Sequence, residues 1–253
     1  MAKKTVVKRK GGAKKASPKK STKSASRKSA GAKSPKKAAP AKPRAPRGPV
    51  WQWTAVQTAA AIRDGAISST EVVEAHLARM RDVNPRLNAV VVDLSDEALA
   101  AAKAADKVRA RRSDLAPLHG VPITIKENVD VEGRPNPNGV AAQMSIIAPS
   151  DAPVVRNLKR AGAIVIGLTN TPEFSFRGFT ENPLHGLTLN PWDPEITCGG
   201  SSGGAGAAVA AGIGTIAHGN DIGGVRLGAG PLNRSVPRHT TDGRAPALQN
   251  STP

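Results

Sequence analysis

A single cysteine, Cys198, stands among the 253 residues, which excludes an intramolecular disulfide framework, and no group of Cys and His has zinc-ligand spacing. No metal site is expected. No run of about 18 apolar residues is available to cross a membrane, and the N-terminus lacks the apolar core of a secretory signal. A reducing, cytoplasmic setting is the expectation. Acidic residues are missing altogether from residues 1–50, which hold 18 Lys and Arg. The other 203 residues carry 19 basic and 19 acidic groups, so the formal charge of +18 belongs to the first fifth of the chain. Only that part invites a polyanion as partner.

Residues 1–50 are mostly Lys, Ala, Ser, Pro and Gly, with no apolar periodicity and no aromatic residue to offset the entropy of ordering. A disordered tail is predicted, followed by a folded body over residues 51–253. Two copies of Ser-Pro-Lys-Lys, at 17–20 and 34–37, resemble the tails of linker histones and lysine-rich nucleoid proteins. Lysines in such tails neutralise phosphates without reading sequence. Non-specific nucleic acid is therefore a candidate partner, against the plainer reading of a solubilising extension. An organelle transit peptide is also acid-poor, but it favours Arg and an amphipathic helix.

In the body, residues 54–63 read as a short helix ended by Gly65. Ser68-Ser69-Thr70-Glu71 has the capping-box pattern, and Val73, Leu77 and Met80 follow at helical spacing until Asn84-Pro85 is expected to stop the run. A short strand over 89–92 and an Ala-rich helix over 95–110 come next. Residues 121–125 form a β-branched strand that delivers Lys126 at its end. A helix over 151–161 precedes an apolar strand over 163–166 that Gly167 is expected to close. Helices alternating with fully apolar strands predict an α/β sheet covered on both faces.

Three groups in order carry chemistry. Lys126 lies in Gly120-Val121-Pro122-Ile123-Thr124-Ile125-Lys126-Glu127-Asn128; Ser201 lies 75 positions later in Cys198-Gly199-Gly200-Ser201-Ser202-Gly203-Gly204; and Asn220-Asp221-Ile222-Gly223-Gly224 leads to Val225. Taken singly, a lysine at a strand end is usually a solvated charge, and a Gly-Ser run is usually a linker. Taken together, with the Asn84-Pro85-Arg86-Leu87-Asn88-Ala89 stretch and the Asn190-Pro191-Trp192-Asp193 turn, they resemble the amidase signature family over about residues 53–224.

The resemblance implies an amidase-signature fold, a twisted mixed sheet covered by helices, and hydrolysis of a small-molecule carboxylic amide at its C–N bond, with no cofactor. It implies Lys126 as the ultimate base, held neutral by burial and neighbours, and Ser201 as the relay serine after a cis peptide bond. Glycines 199, 200, 203 and 204 would admit close backbone approach there, and a helix from about Ala205 would point free amides into the site. The amides of Ile222, Gly223 and Gly224 would form the oxyanion hole, with Ser202, Asn220 and Asp221 in support. At 220 the family usually has threonine.

The nucleophile is where the pattern breaks. The family places serine directly after Asp-x-Gly-Gly, and here Val225 occupies that position, so the chain is expected to be inactive. Residues 225–242 keep the family's interval before Gly243-Arg244-Ala245-Pro246 but little of its content, as if read out of frame and then restored, and residues 225–253 are read as divergent. The chain is expected to be truncated about halfway through a typical member. Cys198 with His185 is the competing nucleophile and base, although a lone cysteine is more often a small buried hydrophobe. The competing function is a DNA-binding or structural protein acting through its basic tail.

Overall fold

The computed structural model describes residues 44–221. Most of the basic tail and the divergent C-terminal tract lie outside those residues, as do Ile222, Gly223, Gly224 and Val225. Helix α1 (Ala55–Asp64) starts where the Thr54 hydroxyl accepts from Gln57 N at 3.2 Å while Gln57 Oε1 accepts from Thr54 N at 2.9 Å, and it ends at Gly65 with φ 75°. Helix α2 (Ser69–Leu87) carries the expected box between Ser68 and Glu71. It does not stop at Asn84-Pro85 but runs on to Leu87 with Pro85 inside it. The Asn84 side chain explains the extension: its Oδ1 accepts from Ala89 N and Val90 N, both at 2.9 Å, and its Nδ2 donates to Val90 O at 2.8 Å. A proline in the last turn forfeits one backbone bond, and this side chain secures the exit in its place.

Strands β1 (Val90–Asp93), β2 (Pro122–Lys126) and β3 (Ile164–Thr169) are separated by α3 (Ser95–Arg109) and α4 (Pro153–Arg160). A two-residue pair, β4 (Glu181–Asn182) and β5 (Gly186–Leu187), precedes α5 (Gly203–Ala210) and β6 (Ile216–Ala217). The main sheet has the order β1-β3-β2-β6, with β1 antiparallel to β3 and β2 parallel to both β3 and β6. It is a mixed sheet, as the family resemblance implies. Gly167 does not close β3: the strand continues through it to Thr169. A Cβ on Gly167 would stand 2.5 Å from Val90 Cγ1 and 2.9 Å from Val92 O, so the glycine is there to let β1 approach. The register of β3 shifts on either side of this glycine, at Ile166 against β2 and between Leu168 and Thr169 against β1.

Apolar side chains cover both faces. On one, Val73, Leu77, Met80 and Val83 of α2 and Ala98 and Ala102 of α3 pack on Ile164, Ile166 and the Ala207-Ala208 face of α5. On the other, Ala59 of α1 and Val155 of α4 pack on Ile123, Ile125 and Leu168. Each fully buried Ile, Leu or Val contributes about 1.5–3 kcal/mol, which makes these two layers the dominant support of the sheet. No helix among the described residues is long and apolar enough to cross a membrane.

His76 of α2 is buried among these layers. Its Nδ1 lies 3.0 Å from Gly212 O and 3.1 Å from Gly214 N, while Nε2 has no hydrogen-bond partner among the described residues. Burial pushes the imidazole down to about 4, outweighing the pull of the Gly212 carbonyl in the other direction. The native chain therefore refuses a proton that the unfolded chain accepts near pH 6.5. Stability present above that pH is lost as pH falls from about 6.5 toward about 4, by roughly 3 kcal/mol from this group. Urea unfolding near neutral pH and near pH 4.5 should show a loss that is smaller by about that amount in His76→Gln. Equal losses in the two chains would remove His76 as the cause.

Candidate active site

Because β2, β3 and β6 are parallel, their C-terminal ends emerge on one side of the sheet, and in open α/β sheets that is where ligands bind. Lys126 is the last residue of β2, Thr171 follows β3, and Asn220 follows β6. Alternation along β2 sends Ile123 and Ile125 into the layer beneath α1 and α4, and so turns Lys126 to the opposite face, toward the start of α5.

The Lys126 side chain is completely buried, and Ser201 is 3% exposed. Lys126 Nζ donates to Ser201 Oγ at 2.8 Å and to Asn220 Oδ1 at 2.9 Å. The peptide bond between Gly200 and Ser201 is cis. Ser202 Oγ donates to Asn220 O at 3.0 Å, fixing the segment after β6 on the segment before α5. Asp221, part-buried, is the last described residue. The structure thus brings Lys126, Ser201, Ser202 and Asn220 together.

Glycines make the meeting possible. A Cβ on Gly200 would fall 2.6 Å from Phe179 N and 2.7 Å from Arg177 O, and one on Gly204 would fall 2.6 Å from Asn170 O. The expected free amides at the start of α5 need one correction: Gly203 N is already donated to Thr180 Oγ1 at 3.1 Å.

Several members of the network around the lysine escaped the sequence. Asn128 pairs its amide with that of Asn220, Nδ2 to Oδ1 at 3.2 Å and Oδ1 from Nδ2 at 3.0 Å, and also donates to Ser175 Oγ at 2.9 Å. Ser175 donates to Asn138 Oδ1 and lies 3.0 Å from Thr171 Oγ1, which itself donates to the Ser201 carbonyl at 3.2 Å. The chain of contacts closes on itself, from Lys126 through Asn220, Asn128, Ser175 and Thr171 back to Ser201. Asn128 stands two residues beyond Lys126 and could have been read from that spacing. Ser175 gives no such signal, since it enters only through a turn in which Phe174 and Ser175 take φ of 52° and 60°.

Cys198 and His185 are committed elsewhere. The thiol is buried, donates to Thr188 O at 3.2 Å, and is pushed up to about 11 by that burial. His185 Nε2 meets the buried Glu127 carboxylate at 2.5 Å, and Glu127 also accepts from Gly139 N at 3.0 Å. A thiol held in its protonated form, with the imidazole engaged by another group, is a poor nucleophile.

The profile of the Amidase family matches residues 71–229. Indoleacetamide hydrolase of Bradyrhizobium diazoefficiens is 76% identical over 206 residues, covering 81% of this chain and 39% of that protein. Fatty-acid amide hydrolase 2-B of Danio rerio is 42% identical over 183 residues, covering 70% of this chain and 35% of that protein. Among solved structures, 6-aminohexanoate cyclic dimer hydrolase in complex with substrate superposes with a TM-score of 0.65 at 36% identity, over 72% of this chain and 36% of its own. Peptide amidase from Stenotrophomonas maltophilia does so with a TM-score of 0.66 at 30% identity, over 72% and 39%. The chain spans less than two fifths of the length of these relatives. The matched profile covers more than half of the chain, and the chain belongs to the amidase signature family.

Proposed function

We propose that the body, residues 51–253, carries the proton-relay half of an amide C–N hydrolase site, with Lys126 as base and Ser201 as relay, and that this chain lacks the nucleophile. The observation that carries the reading is the buried 2.8 Å contact between Lys126 Nζ and Ser201 Oγ. With the amine unprotonated, that contact reverses: the Ser201 hydroxyl donates to Nζ and can accept a proton in turn. A serine at 225 would then lose its proton to Ser201 Oγ as its own oxygen bonds the amide carbon. The proton held at Lys126 would return through Ser201 to the departing amine. The amides of Ile222, Gly223 and Gly224 would receive the oxyanion, and Ser202, Asn220 and Asp221 would hold the relay in place. Valine at 225 has no hydroxyl to enter this sequence. By its likeness to indoleacetamide hydrolase, the substrate of the complete site is an arylacetamide.

The test has two steps. The chain and its Val225→Ser variant should both leave indole-3-acetamide intact, because the first has no hydroxyl at 225 and in the second the tract after 225 departs from the family's pattern that would orient one. A hybrid in which the Bradyrhizobium relative supplies everything from position 225 onward should hydrolyse it, and Lys126→Ala in that hybrid should lower kcat by about a thousandfold. Hydrolysis by the unaltered chain, or a hybrid indifferent to Lys126→Ala, would overturn the reading.

A second reading concerns residues 1–50, whose 18 cations and absent anions favour a polyanion partner such as duplex DNA. The boundary between tail and body near residue 50 and the cytoplasmic setting belong to the same proposal. Under this reading the amidase body is retained without catalysis.

A further inference from the structure

Asparagine at 220 sets a problem that the family's usual threonine does not. A threonine hydroxyl turns about its own bond and can donate or accept, whereas an amide has one end of each kind and must be held the right way round. The end that faces Lys126 Nζ, at 2.9 Å, is Oδ1. A protonated amine has only donors and enforces that orientation itself. A neutral amine does not, because its free pair could equally accept from an amide Nδ2 in the same place.

Asn128 removes the choice. The two part-buried amides are paired reciprocally, Asn128 Nδ2 to Asn220 Oδ1 at 3.2 Å and Asn220 Nδ2 to Asn128 Oδ1 at 3.0 Å. Such a pair is equally well satisfied with both amides turned over, so its direction must come from outside it. Asn128 Nδ2 also donates to Ser175 Oγ at 2.9 Å. That hydroxyl has one proton, with Asn138 Oδ1 and Thr171 Oγ1 each 3.0 Å away to accept it, and the proton of Thr171 is directed to the Ser201 carbonyl. Ser175 therefore meets Asn128 as an acceptor. Asn138 is itself anchored, since its carbonyl accepts from Phe174 N at 2.9 Å. The direction runs inward from Asn138 through Ser175 and Asn128, and it ends in an oxygen at Lys126.

We infer that Asn128 is a positioning residue for the relay: by holding Asn220 with Oδ1 toward Lys126, it keeps an N–H of the neutral amine on that oxygen and leaves the free pair aimed at Ser201 Oγ. The inference rests on the proton-relay reading for what the free pair does. Without Asn128, Asn220 can present Nδ2 to the neutral amine. The pair that should take the Ser201 proton is then occupied.

The full chain, labelled at lysine 13Cε, reports by NMR the pH at which Lys126 gains its proton, with Lys126→Arg identifying the resonance. Asn128→Ala should lower that pH by about one unit, a loss of about tenfold in proton affinity, because the released amide stabilises the neutral amine and not the ammonium. In an Asn220→Thr chain the same change should alter the affinity by less than about threefold, since threonine has no second polar atom for Asn128 to hold. A merely structural role for Asn128 would give the same shift in both backgrounds. Ser175→Ala, which removes the acceptor that orients Asn128, should also lower the pH, and it decides the matter if Asn128→Ala fails to fold. No downward shift in these variants, or equal shifts with asparagine and threonine at 220, would overturn the inference. In the hybrid enzyme Asn128→Ala should lower kcat by about tenfold with KM unchanged, and an unchanged kcat would overturn the inference as well. A hybrid that hydrolyses nothing sinks the hydrolase reading alone, and the titrations of the full chain still judge Asn128.

Discussion

Raising salt from about 50 to about 200 mM should weaken binding of the full chain to duplex DNA by a factor on the order of 10³ or more. Each phosphate neutralised releases condensed counterions, and the slope of log affinity on log salt counts those contacts. Residues 1–50 offer 18 cations and no anion that could compete for them, whereas the body is balanced at 19 against 19. Engaging half or fewer of the tail's cations is enough for the stated factor, by the usual yield of six to ten phosphate contacts. Fluorescence anisotropy on two duplexes of unrelated sequence should give the same affinities, and glutamine at the tail's Lys and Arg positions should abolish binding. Salt-insensitive binding, or binding that survives the glutamine tail, would assign the affinity to the body.

Gly204→Ala should cost about 3 kcal/mol and disorganise the site. The added methyl would stand 2.6 Å from Asn170 O, 2.7 Å from Asn170 N and 2.9 Å from Ala89 O. All three are main-chain atoms at the ends of β3 and β1, so none can rotate away. Alanine's better helix propensity returns only about 1 kcal/mol, and the overpacking term exceeds it. Asn170 must shift, and with it Thr171, whose N donates to Asn170 Oδ1 and whose hydroxyl reaches the Ser201 carbonyl. Gly178→Ala is the comparison, because nothing lies within 4 Å of a Cβ there and its φ is not left-handed. Denaturant midpoints should separate the two variants clearly. Near-equal midpoints would mean that β1 and β3 yield to the methyl.

Where structure is decided within a few residues, the sequence was legible. Ser68 and Glu71 announced the start of α2, and Gly65 the end of α1, because caps satisfy backbone groups locally. Pro85 and Gly167 misled for the opposite reason. Each carries a strong local signal for termination, but a side chain four residues from Asn88 secures one exit and the approach of β1 requires the other glycine. The pairing of Lys126 with Ser201 came from resemblance to a family and not from physical spacing, since the two are 75 positions apart. Asn128 was in plain view two residues past the lysine. Asn138, Thr171 and Ser175 were not, because their meeting depends on left-handed turns that no pattern of polar and apolar residues encodes.

The ring of contacts around Lys126 closes entirely within residues 126–220. Each of its links is held by burial and by a polar partner, so folding places demands of its own on these residues. Removing a member of the ring strands a buried polar partner, at a cost of about 1–3 kcal/mol, and selection for a stable body resists it. An intact lysine and relay serine in a member of this family therefore record the demands of burial and are no certificate of turnover.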